Sequence, residues 1–421
     1  MSISRLIDKT TEGILKDAQF AYDYIIYTDG TYVYAFNTKT KSIDFQGTDA
    51  GAVIQSVINA LPSGGKILIK AGSYTINTTI QIPPSNITTP YVLILEGEGP
   101  YVTQLISGGL PNAYMINSPQ TAFNWDLMVI IRYMSFTGQN GDGGIINGAY
   151  WGGFNLENLR FLGGPFTNTI VFLGGSGSPP WEGVIKSVHF KTHGGGTNAY
   201  ELFVHYEGAV LDDVSFDLLG PNRVTSAIVG ISGVMCKITK LSVNTGGAIN
   251  ISNFLEVSGA TKVTIDELDY FSAFASSGNI IYITDPGYGV NYSQIFIKYL
   301  RFDTAGTENL FNGVSEMSTW IDNFYGNEYD IRHGVVTGIP ITSVGVQTVT
   351  VNFTPSYYTP YVRPRIVATF QDPSATDFAG FIYITNVSNT GFTLNVKITT
   401  ASATAGATVS VAWIAKKYMP P

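Results

Sequence analysis

The sequence predicts an all-β chain built as a stack of repeated β-coils, opened by one amphipathic helix and followed by a separate antiparallel β-sandwich. Three observations predict it. A six-residue pattern with apolar first, fourth and sixth positions recurs through the middle of the chain. One stretch near the start, and no other of comparable quality, carries a clean helical stripe. After residue 334 the repeat stops and short alternating strands separated by prolines and glycines take over.

Composition agrees. The 421 residues include 46 Gly, 25 Tyr and 24 Phe, and only 13% are charged, a balance suited to strands and tight turns. The net charge of −8 argues against a nucleic-acid binder, which needs a basic footprint. A single cysteine, Cys236, rules out an intrachain disulfide, and its apolar setting predicts a buried, unreactive thiol. The first residues have no apolar core of a signal peptide, and no run of eighteen apolar residues occurs. Neither an ordinary export signal nor membrane insertion is therefore expected.

Taken in order, residues 5–19 have the pattern of a short helix. In YDYIIYTDGTYVYAFN (22–37) the pair Asp29-Gly30 lies between two aromatic, β-prone runs, a strong hairpin signal. Residues 1–44 are expected to form an attachment module, the repeat region to span 45–333, and the final domain 334–421. Asp49 is placed to cap a helix whose stripe is Val53, Ile54, Val57, Ile58 and Leu61. Pro62-Ser63-Gly64-Gly65 ends it, and the strand KILIKAGSYTI follows.

Asp49 to Ala60, Gly64 to Tyr74 and Leu95 to Gly99 together resemble the opening of pectate-lyase-like right-handed β-helix proteins, with their D-x-x-x-[IV]-Q-x-x-[IV]-N-A helix, G-G-x-[IV]-x-[IV]-x-x-G-x-Y strand and L-x-G-E-G turn. The resemblance implies a right-handed parallel β-helix. It also explains the lone helix, which covers the bare core and open strand edges at the first coil.

The repeats start at IRYMSF (131), LENLRF (156), IKSVHF (185), LDDVSF (211), ITKLSV (238), IDELDY (265) and IKYLRF (297), with a weaker IDNFYG at 321. Each reads as strand, bend, strand: the first, fourth and sixth residues point inward and the third sits at the bend. Gly-rich connections such as LGGSGSPPWEG become projecting loops. Beyond residue 334, Phe353, Tyr358, Pro360 and Val362, then Asn386-Val387 with Gly391-Phe392-Thr393, then Val411 to Ala415, resemble H-type lectin-like domains. That resemblance implies a sandwich that trimerises and recognises sugar at the end of a viral fibre.

Chemistry is harder to find. Sugar hydrolysis needs two carboxyl groups across the bond, and Asp212, Asp213 and Asp217 on one coil, with Asp266, Glu267 and Asp269 on a later one, are the available groups. The second repeat position runs Arg132, Glu157, Lys186, Asp212, an alternation of sign that reads as a stabilising surface ladder. Asp269 beside Arg301 in the fifth position is either an ion pair or the acid and arginine a lyase would use. The candidate catalytic residues are therefore Asp269, Asp213 and Arg301. His189, His193, His205 and His333 show no metal-ligand spacing and read as surface or turn residues, so neither metal nor cofactor is expected. Sugar binding needs an exposed ring beside hydrogen-bonding groups. Tyr150, Trp151 and Trp181 lie in expected loops, and Tyr358 lies in a tyrosine cluster between prolines. Sequons occur at Asn77, Asn86, Asn250, Asn291, Asn352 and Asn386.

The domain order resembles viral tail spikes and fibres, and with it an archaeal host is one possibility. The expected protein is a homotrimeric virion attachment protein that binds a host surface polysaccharide or glycoprotein glycan and meets other virion proteins through residues 1–44. It would sit on the virion surface, outside cells. The alternatives are a polysaccharide depolymerase (a lyase or a glycoside hydrolase) of the same shape, and a non-catalytic structural surface protein.

Overall fold

A computed structural model describes residues 22–85, 87, 90–175, 182–193, 200–219, 227–232, 235–245, 253–258, 262–272, 279–284, 294–304, 309–313, 318–325, 331–352, 365–371, 379–388 and 391–416. In the strands between 271 and 294 and between 300 and 335 it describes the backbone. The expected helix at 5–19 lies outside these residues.

The middle of the chain is a parallel β-helix. Its long sheet runs from the strand Gly64–Ile69 through Tyr91–Gly97, Asn124–Gly138, Trp151–Gly163, Glu182–His193, Gly208–Leu219, Met235–Thr245, Lys262–Ser272 and Gln294–Thr304 to Ser318–Tyr325, each hydrogen-bonded to the next. A second sheet stacks the short strands from Ile80–Gln81 to Asn309–Gly313 in the same sense. The register is repeat on repeat: Ile131 pairs with Leu156, Leu156 with Ile185, Ile185 with Leu211. Four successive long strands, from Asn124–Gly138 to Gly208–Leu219, fold about their third repeat position. Tyr133, Asn158, Ser187 and Asp213 have φ of 60°, 50°, 52° and 56°, the left-handed conformation that turns a strand sharply. The first half of Asn124–Gly138 pairs with Tyr91–Gly97 and the second half with Thr103–Ser107, so each coil presents two faces of the long sheet and one of the second.

The apolar positions meet inside. First-position Ile131, Leu156, Ile185, Leu211, Ile238 and Ile265 are buried, as are fourth-position Met134, Leu159, Val188, Val214, Leu241 and Leu268. The sixth position stacks rings: Phe161 to Phe190 at 4.9 Å and Phe190 to Phe216 at 4.6 Å between centroids, each pair contributing about 0.5–1.5 kcal/mol beyond burial. Cys236 lies within the strand Met235–Thr245 in this core, and burial pushes its thiol up to about 12.

The helix Ala50–Asn59 closes the first coil, with Val53, Ile54, Val57 and Ile58 inward. Asp49 caps it by accepting from Gly51 N at 3.0 Å, and its carboxylate also accepts from Asn77 N at 2.9 Å and Thr78 Oγ1 at 2.6 Å. Gln55 Oε1 accepts from Gln81 N at 2.6 Å. The Asp and Gln of the motif thus bolt the helix to the strands beneath it. Glu98 of the turn motif accepts from Ala71 N at 2.6 Å and ion-pairs with Lys70.

The hairpin is present, Tyr24–Thr28 against Val33–Asn37, with Asp29 Oδ1 accepting from Thr31 N and Tyr32 N. It is not set apart from the β-helix, however. Tyr24–Thr28 pairs in parallel with Gly64–Ile69, and Tyr24, Ile26, Val33 and Ala35 join the β-helix core. On the hairpin's other face Ile25 and Phe36 pack with Leu68 of Gly64–Ile69, so both faces of the hairpin are joined to the β-helix.

The C-terminal region forms two three-stranded antiparallel sheets. Ile331–Pro340 and Arg365–Gln371 flank Thr408–Lys416, while Gly345–Asn352 and Ala379–Thr385 flank Gly391–Thr400. Ile339, Phe392, Leu394, Val396, Val409, Val411 and Trp413 share one core. Trp413 meets Phe392 edge-on at 5.2 Å. The boundary expected at 334 falls inside the strand Ile331–Pro340.

Candidate functional site

The second half of each long strand turns its fifth position away from the core, where Ser135 and Asp269 are nonetheless covered, and the register stacks these positions into one column. Gln104, Ser135, Arg160, His189, Ser215, Ser242, Asp269 and Arg301 follow one another strand by strand. Beside it run the seventh positions, where Lys191 pairs with Asp217 and Asp217 with Asn244. Neighbours in a column are held about 4.8 Å apart by the sheet. The result is a polar, charged strip on a rigid support.

Two clusters stand on this strip. In the first, Lys240 on Met235–Thr245 reaches the next coil, with Nζ 3.1 Å from Glu267 Oε1 and 3.7 Å from Asp269 Oδ2. Glu267 and Asp269 are two residues apart on one strand and so share a face. The hydrogen bond that Lys240 donates to Glu267 leads the effects that raise its ammonium above the usual range. The negative charge of Asp213, at the bend of Gly208–Leu219, adds to it. Asp269 is only 6% exposed, whereas Asp213 is exposed. The two lysine-facing carboxylate oxygens both lie within 3.7 Å of one ammonium, so the two carboxylates share a single cation. The same contacts make an ion-pair lock between two coils.

The second cluster joins two coils through an imidazole. His189 Nδ1 is 2.8 Å from Ser215 Oγ, and His189 Nε2 is 3.5 Å from Asp217 Oδ2. Ser215 and Asp217 share the outward face of Gly208–Leu219. Burial holds the imidazole below its usual range, and Arg160 and Lys191 push the same way against the opposing Asp217 carboxylate. The net effect favours the neutral imidazole. Nearby, the Arg160 guanidinium lies 4.4 Å above the centroid of the Tyr101 ring, which is 72% exposed, a stacked cation of about 0.5–1 kcal/mol at such a site.

Of the residues singled out in the sequence, the structure brings Asp269 and Asp213 to the same cluster, two coils apart with Lys240 between. Arg301 stands in register beside Asp269, and its side chain lies outside the described residues. Tyr150 is half-buried, edge-on to Phe123 at 5.3 Å. Trp151 is a correction. It opens the strand Trp151–Gly163 rather than lying in a loop, is fully buried, and donates its indole N–H to Ile82 O at 2.9 Å. No face of the ring is left for a ligand. Trp181 and Tyr358 lie outside the described residues. The second positions Arg132, Glu157, Lys186 and Asp212 stand in register, but the bonds made are to residues outside that set: Arg132 Nη2 pairs with Glu96 at 2.7 Å, and Thr239 donates to Asp212.

Sequence reading missed His189, Ser215, Asp217 and Lys240 as members of clusters. The signal was in the columns, because position five of successive repeats names His189 and Ser215, and position seven names Asp217. Among the described residues no group of three or more His, Cys, Asp or Glu side chains could hold a metal ion, and no helix is long and apolar enough to cross a membrane.

No family model matches the chain, and no curated protein does. Several solved structures are similar to it. A Geobacillus virus E2 protein is 14% identical with a TM-score of 0.36, over 90% of this chain and 84% of that one. The tailspike of Acinetobacter baumannii bacteriophage Fri1, described as a capsular polysaccharide depolymerase, is 11% identical with a TM-score of 0.33, over 88% and 83%. The enzymatically active domain of bacteriophage CBA120 tailspike protein 4 is 13% identical with a TM-score of 0.34, over 88% and 64%.

Proposed function

We propose that the chain is a glycan-directed virion attachment protein of the tail-spike kind, and that its ligand lies along the outward strip of the long sheet. One observation carries this reading: donors and acceptors from Arg160 to Asp269 stand in unbroken register across successive coils. A polysaccharide repeats its hydroxyls along its length, and a rigid column of polar side chains meets them without an ordering cost on the protein side. The test is a screen of surface polysaccharides against the full chain, followed by Lys240→Ala and Arg160→Ala. Binding that weakens at least about tenfold in either variant supports the strip. Undiminished binding in both moves the ligand elsewhere.

A second reading, cleavage of the bound glycan, is favoured by the Lys240 cluster, where Glu267 and Asp269 offer two carboxyls beside one ammonium. It predicts new sugar ends from a polysaccharide that binds, lost in Asp269→Asn. Cleavage retained in both Asp269→Asn and Asp213→Asn removes this site from consideration. The chain is further proposed to act as a homotrimer through its C-terminal sandwich, whose outer face shows Val346, Phe381 and Tyr383, exposed by 47%, 49% and 38%. Light scattering at three times 45.5 kDa supports this, and a monomer refutes it.

A further inference from the structure

We propose that Ser215, His189 and Asp217 form an ester-hydrolysing centre on the β-helix, acting on O-acyl groups of the bound glycan. For its substrate class the proposal rests on the glycan reading above; for its chemistry it rests on the cluster alone. A serine hydroxyl is a weak nucleophile until a neighbouring base takes its proton, and the base must be neutral and in hydrogen-bond contact. His189 meets both conditions. Its Nδ1 is 2.8 Å from Ser215 Oγ, and burial, with smaller help from Arg160 and Lys191, lowers the imidazole pKa and so favours the neutral base. The third group is present on the far nitrogen, where Asp217 Oδ2 lies 3.5 Å from Nε2. In this centre the proton sits on Nε2, on the side of that carboxylate, and Nδ1 is left to accept from the serine. The roles match those of serine hydrolases with the two ring nitrogens exchanged.

The supporting geometry comes from the coil itself. Ser215 and Asp217 alternate on one strand, so both point outward, and His189 faces Ser215 directly across the register from the preceding coil. Ser242 faces Ser215 from the following coil, about 4.8 Å along the column, and presents a hydroxyl donor to the oxyanion. The His189 and Asp217 side chains are 30% and 37% exposed among the described residues, so the ester of a long polymer can approach the cluster from solvent.

The step balances without a cofactor. Ser215 Oγ bonds to the acyl carbon while its proton passes to His189 Nδ1. The sugar–oxygen bond to that carbon breaks, and His189 returns the proton to the leaving sugar hydroxyl. Water then attacks the acyl-serine, again through His189, releasing the carboxylic acid and the free serine. Asp217 is a positioning residue throughout.

The full chain is tested with a fluorophosphonate probe, with mass mapping of the adduct, and with p-nitrophenyl acetate. The expected result is a single adduct on Ser215, and ester hydrolysis that falls at least about 10²-fold in Ser215→Ala and in His189→Gln, with unchanged circular dichroism. In Asp217→Asn the loss of negative charge lowers the His189 pKa, so the acid limb of the labelling rate moves to lower pH, a shift that a merely structural role would not produce. Labelling supports the centre whether or not any polysaccharide binds. No adduct on Ser215, or hydrolysis equal in wild type and Ser215→Ala, overturns it even where glycan binding is strong.

Discussion

Replacing Trp151 separates a core residue from a ligand-facing one. The ring is fully buried, its N–H is bonded to Ile82 O at 2.9 Å, and its own carbonyl accepts from Tyr206 Oη at 2.9 Å. Trp151→Phe keeps most of the apolar contact but removes the donor. It leaves the Ile82 carbonyl buried without that bond, at a cost of about 1–3 kcal/mol. Trp151→Ala adds a cavity between the coils and should cost about 3–5 kcal/mol. With an unfolding entropy near 2.1 cal/mol/K per residue, a loss of about 4 kcal/mol shifts the melting temperature of a cooperative chain of this length by roughly 4–5 °C. A smaller unfolding unit of a few coils would show a larger shift. Scanning calorimetry and urea titration of both variants read the effect. The order wild type, Phe, Ala in stability is expected, with glycan affinity unchanged once folded protein is counted. Two results would refute the reasoning: an alanine variant as stable as wild type, or one that is stable and loses ligand affinity.

Two further outcomes are expected. Cys236 should resist a thiol reagent such as dithionitrobenzoate in the native state and react fully in denaturant, because burial keeps its thiol protonated; rapid native labelling would show that the core opens there. His189 has a folded-state pKa below its ordinary 6.5, so the unfolded chain binds more protons as pH falls through that value. Its contribution to stability is therefore present above about pH 6.5 and lost as pH drops toward the folded-state pKa. Denaturation midpoints of wild type and His189→Gln should converge in that direction, and parallel curves would contradict it.

The β-helix was legible because its signal repeats. The first, fourth and sixth positions name the inward residues of coil after coil, and the left-handed φ at Tyr133, Asn158, Ser187 and Asp213 falls on the third position, where the pattern placed the bend. Trp151 was misread because glycines usually mark loops. Gly152 is instead required by close approach, since a Cβ there would lie 2.1 Å from Asn124 O; the glycine lets two strands meet rather than ending one. The hairpin turn was legible from Asp29-Gly30, a local feature, whereas its parallel pairing with Gly64–Ile69 is a contact at long range that no local pattern announces. The site was half legible for the same reason. Asp213 and Asp269 stand out as acids wherever they lie, while His189 with Ser215 has meaning only once two coils are laid in register.

The bend and the register together make the molecule a ruler. From Gly64–Ile69 to Ser318–Tyr325 the long sheet takes nine steps, roughly 43 Å at about 4.8 Å each. Duplicating one complete repeat between the closing helix and the strip would add one graduation and slide the same side chains outward by that amount. A partial repeat would throw every later column out of line. Reach can therefore change between related chains only in whole coils, while the loops between coils are free to differ in length, as the spacing of the repeats already shows.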